Sequence, residues 1–327
     1  MIFLNAPFPR LIHIETSAYC NLKCRGCFFH GPHHWTTRPK GFISLELWKH
    51  LIQEIASWKQ PVTISAHGGG EPLLHPHFLE LIEFAVQYPT INIGFLTNAM
   101  YLTPDLSKQL LNMRIAWIGF SLDGIHHKTH HQLRLGSDFN LITTNIRQFI
   151  QLRNDWILKN RTHSPKIFIN MVLYPEIISQ TSVFLKQWVP HVDRVNLSFF
   201  RESPHARKLP SVLFNKRIPC FMLWKQMAIT WDGQVILCCE DYNAEEIIGK
   251  AGSSTLHNIW LGDRMNRIRH YHRSNKPDLI PVCKQCDVWA DVYAKIRLNH
   301  QHGWIIHHHA SHVAYRKSRY NPKLEYV

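Results

Sequence analysis

Apolar positions along the chain follow two alternating rhythms. Short β-branched and aliphatic runs occur at Leu11–Glu15, Val62–Ser65, Ile91–Thr97, Ile115–Leu122, Ile167–Leu173 and Val195–Phe199. Between them, apolar residues recur every three or four positions, the period of an amphipathic helix. In SLELWKHLIQEIASWKQ, residues Leu47, Trp48, Leu51, Ile52, Ile55 and Trp58 keep that spacing, and Ser44 is placed to cap the first turn. HFLELIEFAV, PDLSKQLLNM, DFNLITTNIRQFIQLRNDWILK and ISQTSVFLKQWV behave in the same way. Strands alternating with helices predict parallel pairing through right-handed crossovers. The expected architecture is α/β, an open six-stranded (β/α)6 partial TIM barrel with its chemistry at the C-terminal strand ends.

The rhythm breaks near residue 201. RESPHARKLPSVLFNKRIPC is rich in proline and basic residues and reads as a linker. WDGQVILCC then places Asp-Gly beside alternating apolar residues, a hairpin signal, and HNIWLGDRMNRIRHYH supplies a helix. The last stretch holds six histidines between His300 and His312, followed by basic residues that suggest a solvated end. The chain is therefore expected to divide into a barrel over 1–205, a small hairpin-plus-helix module over 206–290, and a His-rich basic tail over 291–327.

At 45% hydrophobic and 12% aromatic, the 327 residues can bury a large core, which excludes a disordered chain. No apolar run approaches the ~18–20 residues that span a bilayer. The start, MIFLNAPFPRLIHIE, lacks the basic and apolar regions of a signal peptide, so cytoplasmic residence is expected. The formal charge of +14 favours anionic partners: a phosphorylated substrate, nucleic acid or an acidic electron-transfer protein. No nucleic-acid-binding motif appears, so nucleic acid is not expected.

The eight cysteines fall in two groups. Clustered thiols in a cytosolic chain point to metal or redox chemistry rather than disulfides. Cys20, Cys24 and Cys27 form C-x3-C-x2-C just after the first strand. Three thiolates on one loop can hold three irons of a [4Fe–4S] cube and leave the fourth open. A structural zinc site would want four ligands.

This loop resembles that of the radical S-adenosylmethionine (radical SAM) superfamily. The resemblance implies a cluster on Cys20, Cys24 and Cys27 whose open iron takes the amino and carboxylate groups of SAM. The residue before the third cysteine, usually aromatic and bounding the adenine, is Gly26 here, which leaves that task to Phe28 or Phe29. HGGGEPLLHP is similar to the family's GGEP motif, implying that Gly69, Gly70 and Glu71 hold the SAM ammonium group. GFLTNAMYL and IGFSLDG resemble its ribose-side positions and place Asn98, Ser121 and Asp123 near SAM, while Arg134 matches the arginine that pairs with the SAM carboxylate.

The second group, Cys220, Cys238, Cys283 and Cys286, is similar to the SPASM/twitch extension of the same family, with the C-x12-G-x4-C spacing of Cys220, Gly233 and Cys238. No cysteine follows Cys286, so the resemblance implies the shorter twitch form, with one auxiliary [4Fe–4S] cluster on four thiolates. Zinc in the same four thiolates is the structural alternative. Cys239 is left over, as a spare thiol or as a hydrogen donor to a substrate radical. The spacing is similar to that of twitch dehydrogenases of aminoglycoside biosynthesis.

The function implied is reductive cleavage of SAM to a 5′-deoxyadenosyl radical. That radical would take hydrogen from a polar small molecule, carbohydrate or cyclitol-like, which is oxidised or epimerised. The alternatives are a maturase of ribosomally made peptides and a non-catalytic electron carrier. Only 19 residues precede Cys20, too few for the peptide-recognition domain of many maturases. An acidic donor, flavodoxin or ferredoxin, would supply electrons. Arg201, at the end of the sixth strand, and Glu240 and Asp241, directly after the second cysteine pair, are the candidates for orienting the substrate.

Overall fold

The computed structural model describes residues 7–160, 164–201, 217–284, 286, 288–290, 296–300, 303–307 and 311–316. Strands β1 (Leu11–Ile14) and β2 (Lys23–Cys24) precede α1 (Leu45–Ser57), β3 (Val62–Ser65), α2 (Phe78–Val86), β4 (Ile91–Thr97), α3 (Pro104–Asn112) and β5 (Trp117–Ser121). There follow α4 (His127–Leu133), β6 (Arg134–Leu135), α5 (Phe139–Asn160), β7 (Lys166–Leu173), α6 (Thr181–Trp188) and β8 (Arg194–Phe199). The strands β1, β3, β4, β5, β7 and β8 lie side by side in that order, every pair parallel, which is the expected open barrel.

Local chemistry explains the helices. Ser44 accepts the Leu47 N–H at the start of α1, and Thr103 accepts the Leu106 N–H ahead of Pro104 in α3. Each such cap is worth about 1 kcal/mol. On the strands, one set of alternate residues, Ile12 and Ile14, Ile118 and Phe120, Ile167 and Ile169, is fully buried in a single core with Trp48, Leu51, Ile55 and Phe149 from the helices.

The other set faces the barrel interior. There His13 and His67 meet ring to ring at 6.2 Å, His67 meets Trp117 at 6.2 Å, and Trp117 stacks on Phe168 at 5.9 Å. The Arg194 guanidinium lies 4.0 Å over Phe168 and closes the belt on β8. Gly94 on β4 leaves the room this belt needs, since a Cβ there would collide with Trp117.

The C-terminal module is hydrogen-bonded into the same sheet. Strand β9 (Gln226–Ile229) runs parallel to β1, and β10 (Gln234–Ile236) and β11 (Ile247–Lys250) continue antiparallel. The β9–β10 turn is the predicted hairpin, with Gly233 at a φ of +86°. The expected single helix is two, α7 (Leu256–Leu261) and α8 (Asp263–Arg273), because extended backbone at Gly262 breaks it. A one-turn α9 (Pro281–Lys284) carries Cys283. Most of the linker, residues 202–216, lies outside the described residues.

The buried Glu15 and the half-buried Arg38 join module to barrel. Glu15, just past β1, is 3% exposed and takes both terminal nitrogens of Arg38 at 2.6 and 2.7 Å. Its carboxylate also accepts the Gly69 N–H at 2.7 Å and the Trp231 N–H at 3.3 Å. Arg38 in turn donates from Nε to the Tyr242 carbonyl at 3.0 Å.

Part of the His-rich stretch forms β12 (Ile296–His300), β13 (Gly303–His307) and β14 (Ser311–Arg316), an antiparallel meander whose last strand pairs with β8, while residues 317–327, the basic stretch read as a solvated end, lie outside the described residues. An unpaired β8 edge would present a row of open backbone donors and acceptors, and β14 satisfies them. His307 and His312 are register partners; His302, His308 and His309 lie outside the described residues.

Because removing one partner leaves the other charge buried, Arg38→Ala should cost about 3–5 kcal/mol. Urea unfolding of the two proteins, compared with Glu15→Ala and the double variant, measures it. A double variant no worse than either single one is the expected result.

Candidate functional site

Every barrel residue singled out from the sequence gathers at the C-terminal strand ends. Cys20, Cys24 and Cys27 sit on the loop after β1, with Cys24 held in β2 by pairing with Arg134 of β6. The Leu22 N–H donates to Cys20 Sγ at 3.4 Å, and Arg134 Nη1 lies 3.9 Å from Cys24 Sγ. Burial pushes the Cys20 thiol up to about 12 and the Cys24 thiol to about 11, and each feels the negative charge of its neighbours. Alone these thiols stay protonated at neutral pH. A cationic iron centre is what such a set can accommodate, because coordination ionises a thiol outright.

The glycine loop packs on the cysteine loop. A Cβ at Gly70 would collide with the Tyr19 carbonyl and lie 2.6 Å from that of Ser17, and the Glu71 N–H bonds the Tyr19 carbonyl at 2.8 Å. Glycine is needed here first for contact between two pieces of backbone. Glu71 is 4% exposed and accepts from Thr97 Oγ1 at 2.6 Å, the Asn98 N–H at 2.8 Å and the Leu73 N–H at 3.1 Å. Burial nonetheless pushes its carboxyl up to about 7. Asn98 Nδ2 donates to Asn21 Oδ1 of the cysteine loop at 2.9 Å.

Asp123, 1% exposed, takes Arg134 Nε at 2.7 Å and the Val172 N–H at 2.7 Å, so it positions the arginine and β7 together. Ser121 ends β5, in register with Asn170. At Gly26 the space a side chain would take is filled from across the barrel. The Gly26 N–H donates to Tyr174 Oη at 3.1 Å, and a Cβ there would stand 2.6 Å from that oxygen and 3.0 Å from Phe200. Tyr174 and Phe200 pack at 4.6 Å.

The second group shares one cavity. Cys220, Cys238, Cys283 and Cys286 line it together with Cys239, Arg217 and His272. Burial pushes Cys220 up to about 12 and Cys239 likewise to about 12, and raises Cys238 and Cys283 further still. Cys239 also receives Gln226 Nε2 at 3.5 Å. Four thiols around one shared cavity suit a multi-iron cluster, one cysteine to each iron.

Between the two cysteine groups lies a polar knot. Arg201 Nη1 meets Glu240 Oε2 at 2.6 Å and Nη2 meets Tyr242 Oη at 2.9 Å, while the Tyr242 hydroxyl donates to Glu240 at 3.1 Å. Phe28 packs on Tyr242 at 5.1 Å and under the Arg201 guanidinium at 5.8 Å, so its ring faces the C-terminal module. Asp241 stands beside this knot and braces the turn that follows it. Both of its oxygens accept backbone N–H groups, of Glu245 and Glu246 at 2.9 Å each, which fixes a turn. Sequence reasoning missed Glu15, Arg38, Tyr174 and Tyr242.

Fold and site together define an iron–sulfur enzyme built on a partial barrel with an appended cluster module. Residues 14–173 match the radical SAM superfamily and residues 220–287 match SPASM, an iron–sulfur cluster-binding domain. The chain belongs to the radical SAM superfamily of enzymes, and its cofactors are SAM, the 4Fe–4S cluster that accompanies it and auxiliary iron–sulfur.

Among its relatives, the S-adenosyl-L-methionine-dependent 2-deoxy-scyllo-inosamine dehydrogenase of Niallia circulans is 22% identical, over 85% of this chain and 92% of that protein. The tungsten-containing aldehyde ferredoxin oxidoreductase cofactor-modifying protein of Pyrococcus furiosus is also 22% identical, over 85% and 87%. The AdoMet-dependent heme synthase of Methanosarcina barkeri is 32% identical over 38% of this chain, which spans about a third of that relative (34%). The same fold appears in BtrN in complex with AdoMet and 2-DOIA, with a TM-score of 0.58, 18% identity and coverage of 86% of this chain and 93% of that one. Streptococcus suis SuiB bound to S-adenosylmethionine gives a TM-score of 0.65 at 17% identity, over 86% and 72%. No helix among the described residues is long and apolar enough to cross a membrane.

A cationic ammonium beside Glu71 favours its ionised form. With the carboxyl near 7, SAM affinity should rise about tenfold between pH 5.5 and pH 7. Equilibrium binding to Glu71→Gln should be weaker and nearly flat over that range.

Proposed function

We propose that this enzyme oxidises a hydroxylated, uncharged or amino-bearing small molecule of the cyclitol or carbohydrate kind. Cys20, Cys24 and Cys27 hold the SAM-binding cluster, and Cys220, Cys238, Cys283 and Cys286 hold an auxiliary [4Fe–4S] cluster. Gly69, Gly70 and Glu71 face the SAM ammonium group, Arg134 its carboxylate, and Asn98 and Ser121 its ribose, with Asp123 steadying Arg134. When bound and reduced, the SAM-binding cluster supplies the electron that cleaves SAM to the 5′-deoxyadenosyl radical.

The observation that carries this reading is the Arg201–Glu240–Tyr242 knot, placed between the two cysteine groups with Phe28 against it. The Glu240 carboxylate can accept a substrate hydroxyl proton, and the Arg201 guanidinium keeps it oriented. Oxidation of a secondary alcohol to a ketone then balances. One hydrogen atom would leave carbon for the 5′-deoxyadenosyl radical, one proton would leave oxygen for Glu240, and the auxiliary cluster, when bound, would supply the acceptor for one electron.

The barrel interior supports a ligand rich in hydroxyl groups. Burial pushes His13 down to about 4 and His67 to about 3, so both are neutral at pH 7. Asn170 accepts Asn196 Nδ2 at 2.6 Å, but its own amide nitrogen is buried without a partner. Neutral donors and acceptors of this kind suit hydroxyl groups. An acidic donor, flavodoxin or ferredoxin, matches the charge of +14.

Cys20, Cys24 and Cys27 replaced together by Ala should leave one cluster per chain and abolish 5′-deoxyadenosine formation, whereas reconstituted wild type should carry about eight irons. A wild type with about four irons overturns the two-cluster assignment.

Glu240→Gln and Arg201→Lys should retain both clusters and uncoupled SAM cleavage while losing product. The assay follows deuterium transfer from ring-deuterated 2-deoxy-scyllo-inosamine and related aminocyclitols into 5′-deoxyadenosine. Transfer absent from all of them in wild type, with transfer from a labelled peptide present, would establish the maturase instead.

A further inference from the structure

We propose that His272 donates a hydrogen bond from Nε2 to the auxiliary cluster and thereby raises that cluster's reduction potential. The proposal rests on the reading that Cys220, Cys238, Cys283 and Cys286 hold the cluster. His272 lies on the last turn of α8, is 3% exposed, and lines the same cavity as those four cysteines. Its Nδ1 accepts the Cys220 N–H at 3.3 Å. That bond fixes the tautomer. A nitrogen that accepts carries no hydrogen, so the ring proton sits on Nε2.

Nε2 is buried and has no partner in the protein. An N–H left so carries the desolvation cost of a hydrogen bond not made. The cavity wall carries side-chain oxygens on Gln226 and Glu240, and neither is within hydrogen-bond reach of Nε2. The acceptor it lacks is therefore one the cavity receives: a sulfide or thiolate sulfur of the cluster.

Arg217 repeats the pattern. Its Nη2 holds the Cys283 carbonyl at 2.6 Å, which fixes the guanidinium on the cluster loop, while Nε is buried, unpartnered and in the same wall. Two N–H donors, one of them cationic, stabilise the added negative charge of the reduced cluster. Donors to cluster sulfur act on potential in this direction. His272 is thus a positioning residue for electron transfer: it touches the acceptor of the second electron and not the substrate.

The test is a potentiometric titration of the fully loaded enzyme with SAM bound, in which paramagnetic resonance separates the two clusters. His272→Phe should move the auxiliary midpoint to lower potential by about tenfold in the reduction equilibrium, ~59 mV for one electron. His272→Gln, which keeps an N–H donor, should stay within a third of that shift. An unmoved midpoint in His272→Phe overturns the proposal.

If His272→Phe fails to assemble the cluster, the wild type decides. With 15N-labelled histidine in deuterated buffer, the reduced auxiliary cluster should show coupling to one histidine nitrogen and one exchangeable deuteron, and absence of both overturns it. Failure of the ligand assignment looks different: Cys283→Ala would then keep an unaltered auxiliary signal.

Discussion

A single buried carboxylate holds the two halves of this enzyme in register. Glu15 stands where β1 ends and the cysteine loop begins, and its two oxygens tie together Arg38, the glycine loop at Gly69 and the hairpin turn at Trp231. Arg38 extends the tie to Tyr242, a member of the knot between the cysteine groups. Burying Glu15 beside the half-buried Arg38 is expensive in desolvation, and a well-packed apolar pair would give comparable stability. What the ion pair adds is direction. Each oxygen accepts along a defined line, so three loops from distant parts of the chain are fixed relative to one another.

The same economy of position recurs at the SAM end. Asp123 touches Arg134 and β7, Asn98 touches Asn21, and Glu71 fastens the ends of β3 and β4. Each of these polar groups is a brace between loops before it is a contact to any ligand. A site built this way is preorganised: its groups are already oriented by partners, and a ligand need not order them.

Much of this was legible in the sequence because it is local. The six strands follow from apolar runs, the first helix cap from Ser44, and the cysteine loop from its spacing. The failures are non-local or directional. Glu15 carries no motif, and its partners come from residues 38, 69 and 231, which only the fold assembles. Asp241 stands two residues after Cys239, and both of its carboxylate oxygens accept backbone N–H groups of the turn that follows. Adjacency in sequence says nothing about which way a side chain leaves a turn. At Gly26 the space a side chain would take is filled by Tyr174 and Phe200, from strand ends far along the chain.

The strand β14 has a further consequence for what can approach the barrel mouth. An open barrel ending at β8 would offer its main chain as a template, and an extended peptide could join by adding one more strand. In this chain, Ser311–Tyr315 already occupies that row, paired with Arg194–Ser198. The free margins of the sheet are moved to β11 and β12, on its far sides. Anything that reaches Arg201 and Glu240 must therefore be recognised through its own functional groups, without borrowing backbone pairing from β8.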